Sequence, residues 1–354
     1  MQDINSLNIH KLNNLLSEAE NIAIVTHMKP DGDALGSSLA MYSFLKSIDA
    51  QAKIVLPHGL PSNLLFLTDE ESIQNIIINE ENPSEAENTI AAADLIICLD
   101  FNAFQRADKL APFLSASKAS KVLIDHHLNP DRDSFDVVFS EINVSSASEL
   151  LFHVLMAMPQ IEGKAERLSQ AALDALLTGM TTDTNNFANS VFPSTLQMAS
   201  ALLAAGADRD MVLSNIYNMF GESRLRLLGH ILKDLMTITE DGVAYIVLDS
   251  NTLKGYNIIE GDTEGFVNMP LSIRNVRMSI LVKEDEGFAR VSVRSKKGTS
   301  ANRCARLHFN GGGHENAAGG KLIMPQNIAD INEAGQYIET HTHAFFNGED
   351  EQNN

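Results

Sequence analysis

Residues 21–47, NIAIVTHMKPDGDALGSSLAMYSFLKS, join a short apolar run, a polar turn and a helical pattern. The apolar run, NIAIVTH (21–27), is rich in isoleucine and too short for a helix, so it predicts a buried strand. Beyond the turn, large side chains recur on one helical face at Leu35, Leu39, Tyr42 and Leu45. A strand followed at once by a helix is the opening of a βαβ unit, and the stretch therefore favours an α/β fold.

The same alternation of strand and helix continues through the first half of the chain. Three further apolar runs predict buried strands: AKIVLP (52–57), DLIICLD (94–100) and KVLIDHH (121–127). FDVVFS (135–140) is a candidate for one more, and apolar helical stretches follow over 145–158 and 165–180. Strands that alternate with helices predict right-handed crossover connections and a parallel sheet.

The pattern changes in the second half of the chain. Residues 194–236 are mainly helical in pattern, and we interpret them as a linker. Four later runs predict strands: AYIVLD (244–249), RMSILVKE (277–284), FARVSVRS (288–295) and KLIM (321–324). We therefore expect a parallel-sheet N-terminal domain over residues 1–193, the helical linker, a smaller α+β domain over 237–346, and an acidic, disordered tail over 347–354.

The composition excludes some classes of function. The 354 residues carry 46 Asp and Glu against 26 Lys and Arg, a formal net charge of −20. That balance argues against binding to long duplex DNA or to an anionic membrane, although a local cationic site could still hold a small polyanion. Cys98 and Cys304 lie far apart and indicate neither a disulfide framework nor a thiolate zinc site. With no signal peptide and no membrane-length apolar run, we expect a soluble, cytoplasmic protein.

Polar side chains stand where the strand-like runs of the first half end. The residues at three of these ends are His27, Asp100, and the consecutive Asp125, His126 and His127. The carboxyl ends of parallel strands lie on one edge of a sheet, where ligands bind, so these groups are expected to meet there. Asp31 and Asp33 follow in the turn after the first strand, and Asp183 follows an apolar helical stretch. The sequence thus predicts a cluster of carboxylates and imidazoles.

Each of these residues alone has a purely structural interpretation. Asp31 or Asp33 could cap the helix that begins near Ala34, Asp183 could be a turn residue, and the two histidines could be a solvated loop pair. Clustered at one edge, however, the carboxylates would repel one another unless cations bind between them. Oxygen and nitrogen ligands without thiolates suit Mn²⁺ or Mg²⁺ better than structural zinc. Two such cations can activate water and stabilise charge in phosphoryl transfer.

A second set of candidate residues lies in the C-terminal half. Residues 287–310 hold six Lys and Arg and no acidic residue, a local reversal of the overall charge. Three glycines and a histidine, Gly311 to His314, follow directly. Consecutive glycines let backbone amides approach an anion closely, so the segment favours phosphate binding. A flexible connector and ordinary solvated charges are the alternative interpretation.

Together these residues resemble the DHH phosphoesterase superfamily, in particular its branch with a DHHA1 domain. The matching elements, in the family's order, are His27 to Asp33, Asp100, Asp125 to His127, Asp183 and GGGHENAAGG (311–320). They cover roughly residues 21–325. TEGFVNMPLSIRNV (263–276) is similar to the nanoRNase subgroup, whose members cleave short oligoribonucleotides and often dephosphorylate 3′-phosphoadenosine 5′-phosphate.

The resemblance implies two divalent cations, Mn²⁺ in the first place and Mg²⁺ as the alternative, that share one carboxylate. The ligands of one cation would be His27, Asp31 and Asp100. The ligands of the other would be Asp33, His126 and Asp183, with Asp100 as the bridge.

The resemblance also implies roles in binding and catalysis. His127 would contact the scissile phosphate or the leaving oxygen, and Asp125 would orient the histidines. Substrate phosphate would be bound in the second domain by Arg294, Ser295, Gly311, Gly312, Gly313 and His314. Two positions depart from the family pattern, since Asn310 stands where a glycine is frequent and Glu315 where a lysine is common.

The function that follows is hydrolysis of short RNA, two to about five nucleotides long, to nucleoside 5′-monophosphates, with 3′-phosphoadenosine 5′-phosphate as a second substrate. The negative net charge fits short substrates, because longer RNA would meet a repulsive surface. Rivals are a soluble phosphodiesterase for cyclic di-AMP and pApA, a family II pyrophosphatase and a RecJ-type exonuclease. A non-enzymatic RNA-binding or metal-sensing module is the rival from another class. The resemblance also makes a homodimer plausible.

Overall fold

The computed structural model describes residues 4–259 and 261–348, which form two compact units. The first unit spans Met1–Met219 and the second Phe220–Asn354. The residues from 349 onward, which make up most of the predicted acidic tail, lie outside the described residues.

The first unit is built on a six-stranded parallel sheet. Its strands are β1 (Ile22–Val25), β2 (Ala52–Leu56), β3 (Ile76–Ile78), β4 (Leu95–Leu99), β5 (Ser120–Asp125) and β6 (Val137–Ser140). Their order across the sheet is β3-β2-β1-β4-β5-β6, and every neighbouring pair is parallel. The order reverses between β1 and β4, and such a switch point is where open α/β sheets bind ligands.

Helices connect these strands and cover the sheet. They are α1 (Ser6–Glu18), α2 (Gly32–Ser47), α3 (Glu70–Gln74), α4 (Pro83–Ala92), α5 (Ala111–Ala116), α6 (Ala147–Ala157), α7 (Gln170–Asp183), α8 (Pro193–Ala205) and α9 (Arg209–Leu213). Alternate strand residues pack on opposite faces. Ile24 and Ile97 belong to the apolar core that includes α2, α6 and α7, whereas Val25 and Ile96 belong to the core that includes α4. Burial on both faces explains why these strands are continuous apolar runs.

The second unit contains a mixed sheet. Its strands are β7 (Thr237–Ile238), β8 (Val243–Leu248), β9 (Met278–Asp285), β10 (Phe288–Ser295), β11 (Gly312–His314) and β12 (Ala317–Ile323), and its helices are α10 (Glu222–His230), α11 (Ser250–Gly255), α12 (Ala301–His308) and α13 (Ala334–Asn347). The order is β11-β12-β10-β9-β8-β7. Among the strands of residues 237–259 and 261–348, only β8 and β9 pair in parallel. A 3-10 helix spans Phe266–Ser272.

The predicted fold class, a parallel-sheet domain followed by a smaller α+β domain, is confirmed. Three short strands were not predicted, because they carry little hydrophobic pattern. β3 has three residues, β7 has two exposed residues, and β11 begins with glycines. The predicted helical linker, residues 194–236, falls on both sides of the division between the units. Its Met198 and Leu202 pack in the core of the first unit, and its Leu227 and Ile231 pack in a core of the second.

No helix within residues 4–259 and 261–348 combines the length and the apolar character that crossing a lipid bilayer requires.

Candidate metal centre and phosphate-binding residues

Asp100 lies at the centre of the candidate site, directly after β4, and is 2% exposed. Its Oδ2 is 3.3 Å from Nε2 of His27, and its Oδ1 is 3.4 Å from Nε2 of His126. The same nitrogen of His126 lies 3.4 Å from Oδ2 of Asp183 and 3.9 Å from Oδ2 of Asp33. Groups from distant parts of the chain therefore form one cluster at the switch point of the sheet.

The ring of His27 is held with one nitrogen toward this cluster. Its Nδ1 donates a hydrogen bond to the backbone carbonyl of Met28 at 2.8 Å, which places the proton on Nδ1. Nε2 then faces Asp100 and also Asp31, whose Oδ1 is 3.9 Å away. A metal-binding histidine is oriented in this way, with one nitrogen fixed by a hydrogen bond and the other available to a cation.

Three groups of donors in the described part of the chain are close enough to hold a cation. They are His27–Asp31–Asp100, Asp33–His126–Asp183 and Asp100–His126–His127, and the donor atoms of each group lie within 4.8 Å of one another. Within the described residues, Oδ1 of Asp100 is buried and accepts no hydrogen bond. An unsatisfied buried carboxylate oxygen is costly unless a cation binds it. The donor set therefore fits divalent cations, and the first two groups are the ligand sets expected from the sequence.

The carboxylate of Asp33 is completely buried and is held by the first turn of α6. The backbone amides of Ala147 and Ser148 donate to Oδ2 and Oδ1 at 2.6 and 2.8 Å. These amides are among those that a helix N-terminus leaves without an intrahelical partner, and they favour a negative charge. The sequence pattern predicts the helix but not this contact. The S-x-x-E pattern of Ser146 and Glu149 is typical of a helix start, so it locates these amides but does not indicate that Asp33 accepts them.

Asp31 lies at the N-terminus of one helix and Asp183 at the C-terminus of another. Asp31 is the N-cap of α2, and its Oδ1 accepts the amides of Asp33 and Ala34 at 3.0 and 3.1 Å. The capping interpretation and the ligand interpretation of Asp31 are thus compatible, because its side chain has a second oxygen. Asp183 is the last residue of α7, where the helix dipole disfavours a carboxylate, so a bound cation would offset that cost.

Close packing of α2 against α7 and α6 brings these ligands together. A Cβ on Gly32 would lie 2.4 Å from Oγ1 of Thr182, and one on Gly36 would lie 2.5 Å from the carbonyl oxygen of Ala175. A Cβ on Gly179 would lie 2.8 Å from Oδ1 of Asp33 itself. Glycine at these positions allows the helices to approach so closely that Asp33 and Asp183 reach the same imidazole.

The charges of the cluster shift its pKa values in opposite directions. Burial alone would lower the pKa of His27 and of His126, but the neighbouring Asp100 carboxylate outweighs it and raises these pKa values to about 9 and about 10. Burial alone would raise the pKa of Asp100, yet the two histidines hold it well below its usual range. Burial, reinforced by the charge of Asp100, raises the pKa of Asp33 to about 7. Protons on the histidines and bound cations are therefore alternative ways to neutralise the same carboxylates.

In the second unit, Arg294 and His314 lie in one row of the sheet. His314 of β11 is paired with Ala317 of β12, and Ala317 is paired on its other side with Arg294 of β10. Directly paired residues in antiparallel strands point to the same face, so the two basic side chains flank the small side chain of Ala317. Arg294 is further held by hydrogen bonds from Nη1 to the carbonyl oxygens of Val293 at 3.0 Å and Ala318 at 3.4 Å.

The other residues expected to bind phosphate already make contacts within the second unit. The hydroxyl of Ser295 donates to the carbonyl of Thr299 at 2.6 Å. The amide of Gly311 donates to the carbonyl of Ala305, and that of Gly313 to Oδ1 of Asn302. A Cβ on Gly311 would lie 1.8 Å from the carbonyl oxygen of Gly319, so close backbone packing alone requires glycine there.

Three further residues of this unit bear on the same segment. Asn310, where the family pattern has glycine, adopts a φ of 48°, which asparagine tolerates well. Glu315 accepts the hydroxyl of Ser300 at 2.9 Å, at the start of α12. Ser279 of β9 is paired with Arg294 of β10 and was not among the residues predicted from the sequence. Its buried hydroxyl lacks a hydrogen-bond partner among the described residues.

Carboxylates and imidazoles around one aspartate at the switch point of a parallel sheet form the kind of site that can hold divalent cations for phosphoester hydrolysis. The chain belongs to the DHH family: residues 21–180 match the family's N-terminal domain, and residues 240–338 match the DHHA1 domain. Within the family, the resemblance to the nanoRNase and pAp-phosphatase-like subgroup that the sequence indicated is confirmed.

Similar proteins cover nearly the whole chain. The crystal structure of an exopolyphosphatase-related protein from Bacteroides fragilis is 35% identical, covers 98% of both chains and has a TM-score of 0.90. The bifunctional oligoribonuclease and PAP phosphatase NrnA of Thermus thermophilus is 30% identical over 85% of this chain and 84% of its own. The protein of the same name from Bacillus subtilis is 25% identical over 87% and 91%. The cyclic-di-AMP phosphodiesterase GdpP of Geobacillus thermodenitrificans is also similar, but the chain spans only 50% of it.

Proposed function

We propose that the protein hydrolyses oligoribonucleotides of two to about five nucleotides to nucleoside 5′-monophosphates, and that it also removes the 3′-phosphate of 3′-phosphoadenosine 5′-phosphate. The observation that carries the proposal is the position of Asp100 between His27 and His126, at 3.3 and 3.4 Å. The full-length similarity to the two NrnA proteins supports the choice of substrate.

The proposed ligand sets are two of the three donor groups, and Asp100, whose Oδ1 is 3.4 Å from Nε2 of His126, would serve both sets. His27, Asp31 and Asp100 would hold one divalent cation, and Asp33, His126 and Asp183 the other. Mn²⁺ is the ion we favour, because it accepts mixed imidazole and carboxylate ligands more readily than Mg²⁺. When bound, such a pair lowers the pKa of water and neutralises charge on a phosphoryl group.

His127 and Asp125 are proposed to act on the leaving group. Asp125 accepts the Nδ1–H of His127 at 2.7 Å, which orients the ring and fixes one proton on Nδ1. Nε2 then faces away from Asp125, and once it has taken up a proton it can pass that proton to the leaving oxygen of the scissile bond. Asp125 is 0% exposed and so acts through the histidine rather than on the substrate.

Arg294 and His314 are proposed to bind a substrate phosphate, with Ser295 and the glycines at 311–313 supporting them. A guanidinium and an imidazole on either side of a small residue present several donors to an anion, and charge-assisted hydrogen bonds of this kind are the strong ones. Because Ser295, Gly311 and Gly313 donate within the unit, their contribution would be to hold the two basic side chains in place.

A soluble phosphodiesterase for cyclic di-AMP is the second candidate, and the similarity to GdpP favours it over other rivals. It ranks lower because the chain spans half of that relative but nearly all of the NrnA proteins. The complete donor set argues against a non-enzymatic module, since loss of activity would tolerate loss of a carboxylate. The homodimer expected from the resemblance stays a proposal, and sedimentation equilibrium of the purified protein would measure it.

The decisive experiment compares five substrates with Mn²⁺ and with chelator: pApA, a five-nucleotide RNA, a 24-nucleotide RNA, cyclic di-AMP and 3′-phosphoadenosine 5′-phosphate. We expect metal-dependent cleavage of the short RNAs and of the bisphosphate, with the long RNA spared. The Asp100→Asn protein, purified in parallel, excludes a contaminating nuclease. Cleavage of cyclic di-AMP alone would replace the proposal by the second candidate, and inactivity on all five would remove both.

A further inference from the structure

Most of the free backbone amides in the first turn of α6 contact one proposed metal ligand, Asp33. The amides of Ala147 and Ser148 donate to Asp33, while the amide of Glu149 donates to the hydroxyl of Ser146, the N-cap, at 3.0 Å. The position of this turn therefore sets the position of the Asp33 carboxylate. Whatever fixes the entrance of α6 also fixes one side of the metal centre.

Glu149 fixes that entrance. Its carboxylate is 0% exposed, and a single oxygen, Oε2, accepts three hydrogen bonds. The donors are the amide of Ser145 at 2.8 Å, the hydroxyl of Ser145 at 2.6 Å and the hydroxyl of Thr195 at 2.7 Å. The other oxygen, Oε1, lies 3.6 Å from Nε2 of the buried His153. Glu149 thus connects Ser145, the residue before the N-cap, to Thr195 of α8. It belongs to none of the three donor groups around Asp100.

A buried carboxylate contributes less to helix packing than an apolar side chain does, because its charge must be desolvated. An apolar side chain of similar volume would hold α6 against the core without the desolvation of a charge. Three converging donors instead fix the direction of the backbone at Ser145, and with it the direction in which the next amides point. Such partners of metal ligands matter because they set ligand orientation.

We propose that Glu149 is a positioning residue for Asp33: by holding Ser145 and Thr195 it aims the Ala147 and Ser148 amides at the Asp33 carboxylate and so tunes the affinity of one of the two cations. The proposal rests on the metal centre of the proposed function. It assigns Glu149 no contact with substrate or cation.

The test is calorimetric titration of Mn²⁺ into the metal-free protein, with the thermal midpoint and the Mn²⁺ dependence of kcat as companion measurements. Glu149→Ala should weaken one of the two Mn²⁺ equivalents by about 10- to 100-fold and leave the other unchanged. Its kcat should recover in part at high Mn²⁺. Glu149→Gln keeps an acceptor oxygen for the same donors and should restore most of the lost affinity.

The matched control is Asp174→Ala. Asp174 is another buried carboxylate of the first unit; it accepts the amide of Asp208 at 2.7 Å and the side chain of Gln170 at 3.0 Å. Its loss should lower the thermal midpoint without any change in Mn²⁺ affinity. Should Glu149→Ala fail to fold, Thr195→Val removes one donor and should weaken the same equivalent to a smaller extent.

Two results would overturn the inference: wild-type affinity for both Mn²⁺ equivalents in folded Glu149→Ala, or an equal loss of affinity in Asp174→Ala. The readout needs no substrate, so it separates this inference from the proposed function. A wild-type protein that binds Mn²⁺ through Glu149-dependent sites but cleaves no nucleotide would remove only the proposed function. If the wild-type protein cleaves nucleotides and Glu149→Ala binds Mn²⁺ with unchanged affinity, only the inference is removed.

Discussion

Asp125 accepts two hydrogen bonds from His127, one from the ring Nδ1 at 2.7 Å and one from the backbone amide at 3.1 Å. Both residues lie at the end of β5 and are buried. The two bonds fix both the backbone and the ring, and the proton on Nδ1 leaves Nε2 as the atom directed away from Asp125. A histidine held in this way is prepared for proton transfer rather than for structural support alone.

Asp125→Asn tests this relationship. The asparagine amide favours the wrong tautomer of the ring, so we expect kcat to fall by about 10²-fold or more while Mn²⁺ affinity stays near wild type. Steady-state kinetics with pApA and calorimetric Mn²⁺ titration give the two quantities. If Mn²⁺ affinity falls instead and high Mn²⁺ restores kcat, His127 is a metal ligand, as its proximity to Asp100 also allows.

Asp100→Asn should have the largest effect on turnover. It removes the carboxylate common to both proposed ligand sets, a loss of several kcal/mol that corresponds to at least about 10²- to 10³-fold in kcat. In the metal-free protein, the pKa values of His27 and His126 should fall, because Asp100 is the group that raises them. Nuclear magnetic resonance titration of the imidazole protons measures this shift without any activity assay.

The control for that variant is Asp94→Asn. Asp94 lies directly before the N-terminal end of β4, whereas Asp100 follows its C-terminal end. The carboxylate of Asp94 accepts the backbone amides of Glu20 and Asn21. It should leave turnover and both histidine pKa values unchanged. Activity retained in purified Asp100→Asn would remove Asp100 as the bridging ligand.

Mn²⁺ affinity should increase with pH. The pKa values of His27 and His126, about 9 and about 10 in the metal-free protein, mean that cations must displace protons near neutral pH. Each proton displaced makes the affinity rise about tenfold per pH unit until the pKa is passed. Titration in buffers of different ionisation enthalpy measures the protons released, and their absence at pH 7.5 would contradict the prediction.

The same groups set the pH dependence of stability in the metal-free protein. Because the folded-state pKa values are raised above the ordinary value of 6.5, the folded chain binds more protons than the unfolded chain between that value and about 9 to 10. The stability that these histidines contribute is complete below pH 6.5 and is lost as the pH rises through the raised values. The thermal midpoint of the metal-free protein should therefore fall from pH 7 to pH 9, and the increase produced by Mn²⁺ should grow.

The sequence was sufficient for the parts of the site that depend on local pattern. His27, Asp100 and Asp125 each follow an apolar run, and the parallel sheet that those runs predict brings strand ends together. Such an argument works because each run is buried on both faces and thus unmistakable. The three-residue β3 and the glycine-rich β11 carry too little pattern to be recognised.

Contacts between distant segments could not be predicted in this way. Asp33 and Ala147 are separated by 114 positions, and nothing local to either residue indicates their hydrogen bond. Likewise, the row that joins His314 to Arg294 depends on strand register, since a shift of one residue would turn one of them to the opposite face. The glycines of the α2–α7 contact have meaning only once both helices are in place.

Arg294→Ala should weaken substrate binding and leave the chemistry largely intact. A guanidinium bound to phosphate contributes roughly 1.5–3 kcal/mol, so KM for pApA should rise by about tenfold or more with kcat within a few-fold. Arg290→Ala is the matched control, on the same face of β10 and paired with Asp285 at 2.7 Å; it should change neither parameter. Unchanged KM and kcat in Arg294→Ala would remove this residue from the site.

Gly179→Ala tests whether helix packing determines the metal centre. The added Cβ would lie 1.9 Å from Oγ of Ser148 and 2.8 Å from Oδ1 of Asp33, so α7 must move away from α6 or Asp33 must leave its amides. We expect a loss of about 1–3 kcal/mol in unfolding free energy, as for other overpacked sites, and weaker binding of one Mn²⁺ equivalent. Denaturant unfolding and calorimetry measure the two effects. Gly229→Ala on α10, where a Cβ lies more than 4 Å from every described atom outside the local helix backbone, should instead stabilise the chain by about 0.5–1 kcal/mol. A Gly179→Ala protein that binds both Mn²⁺ equivalents normally would show that the ligand positions are independent of this contact.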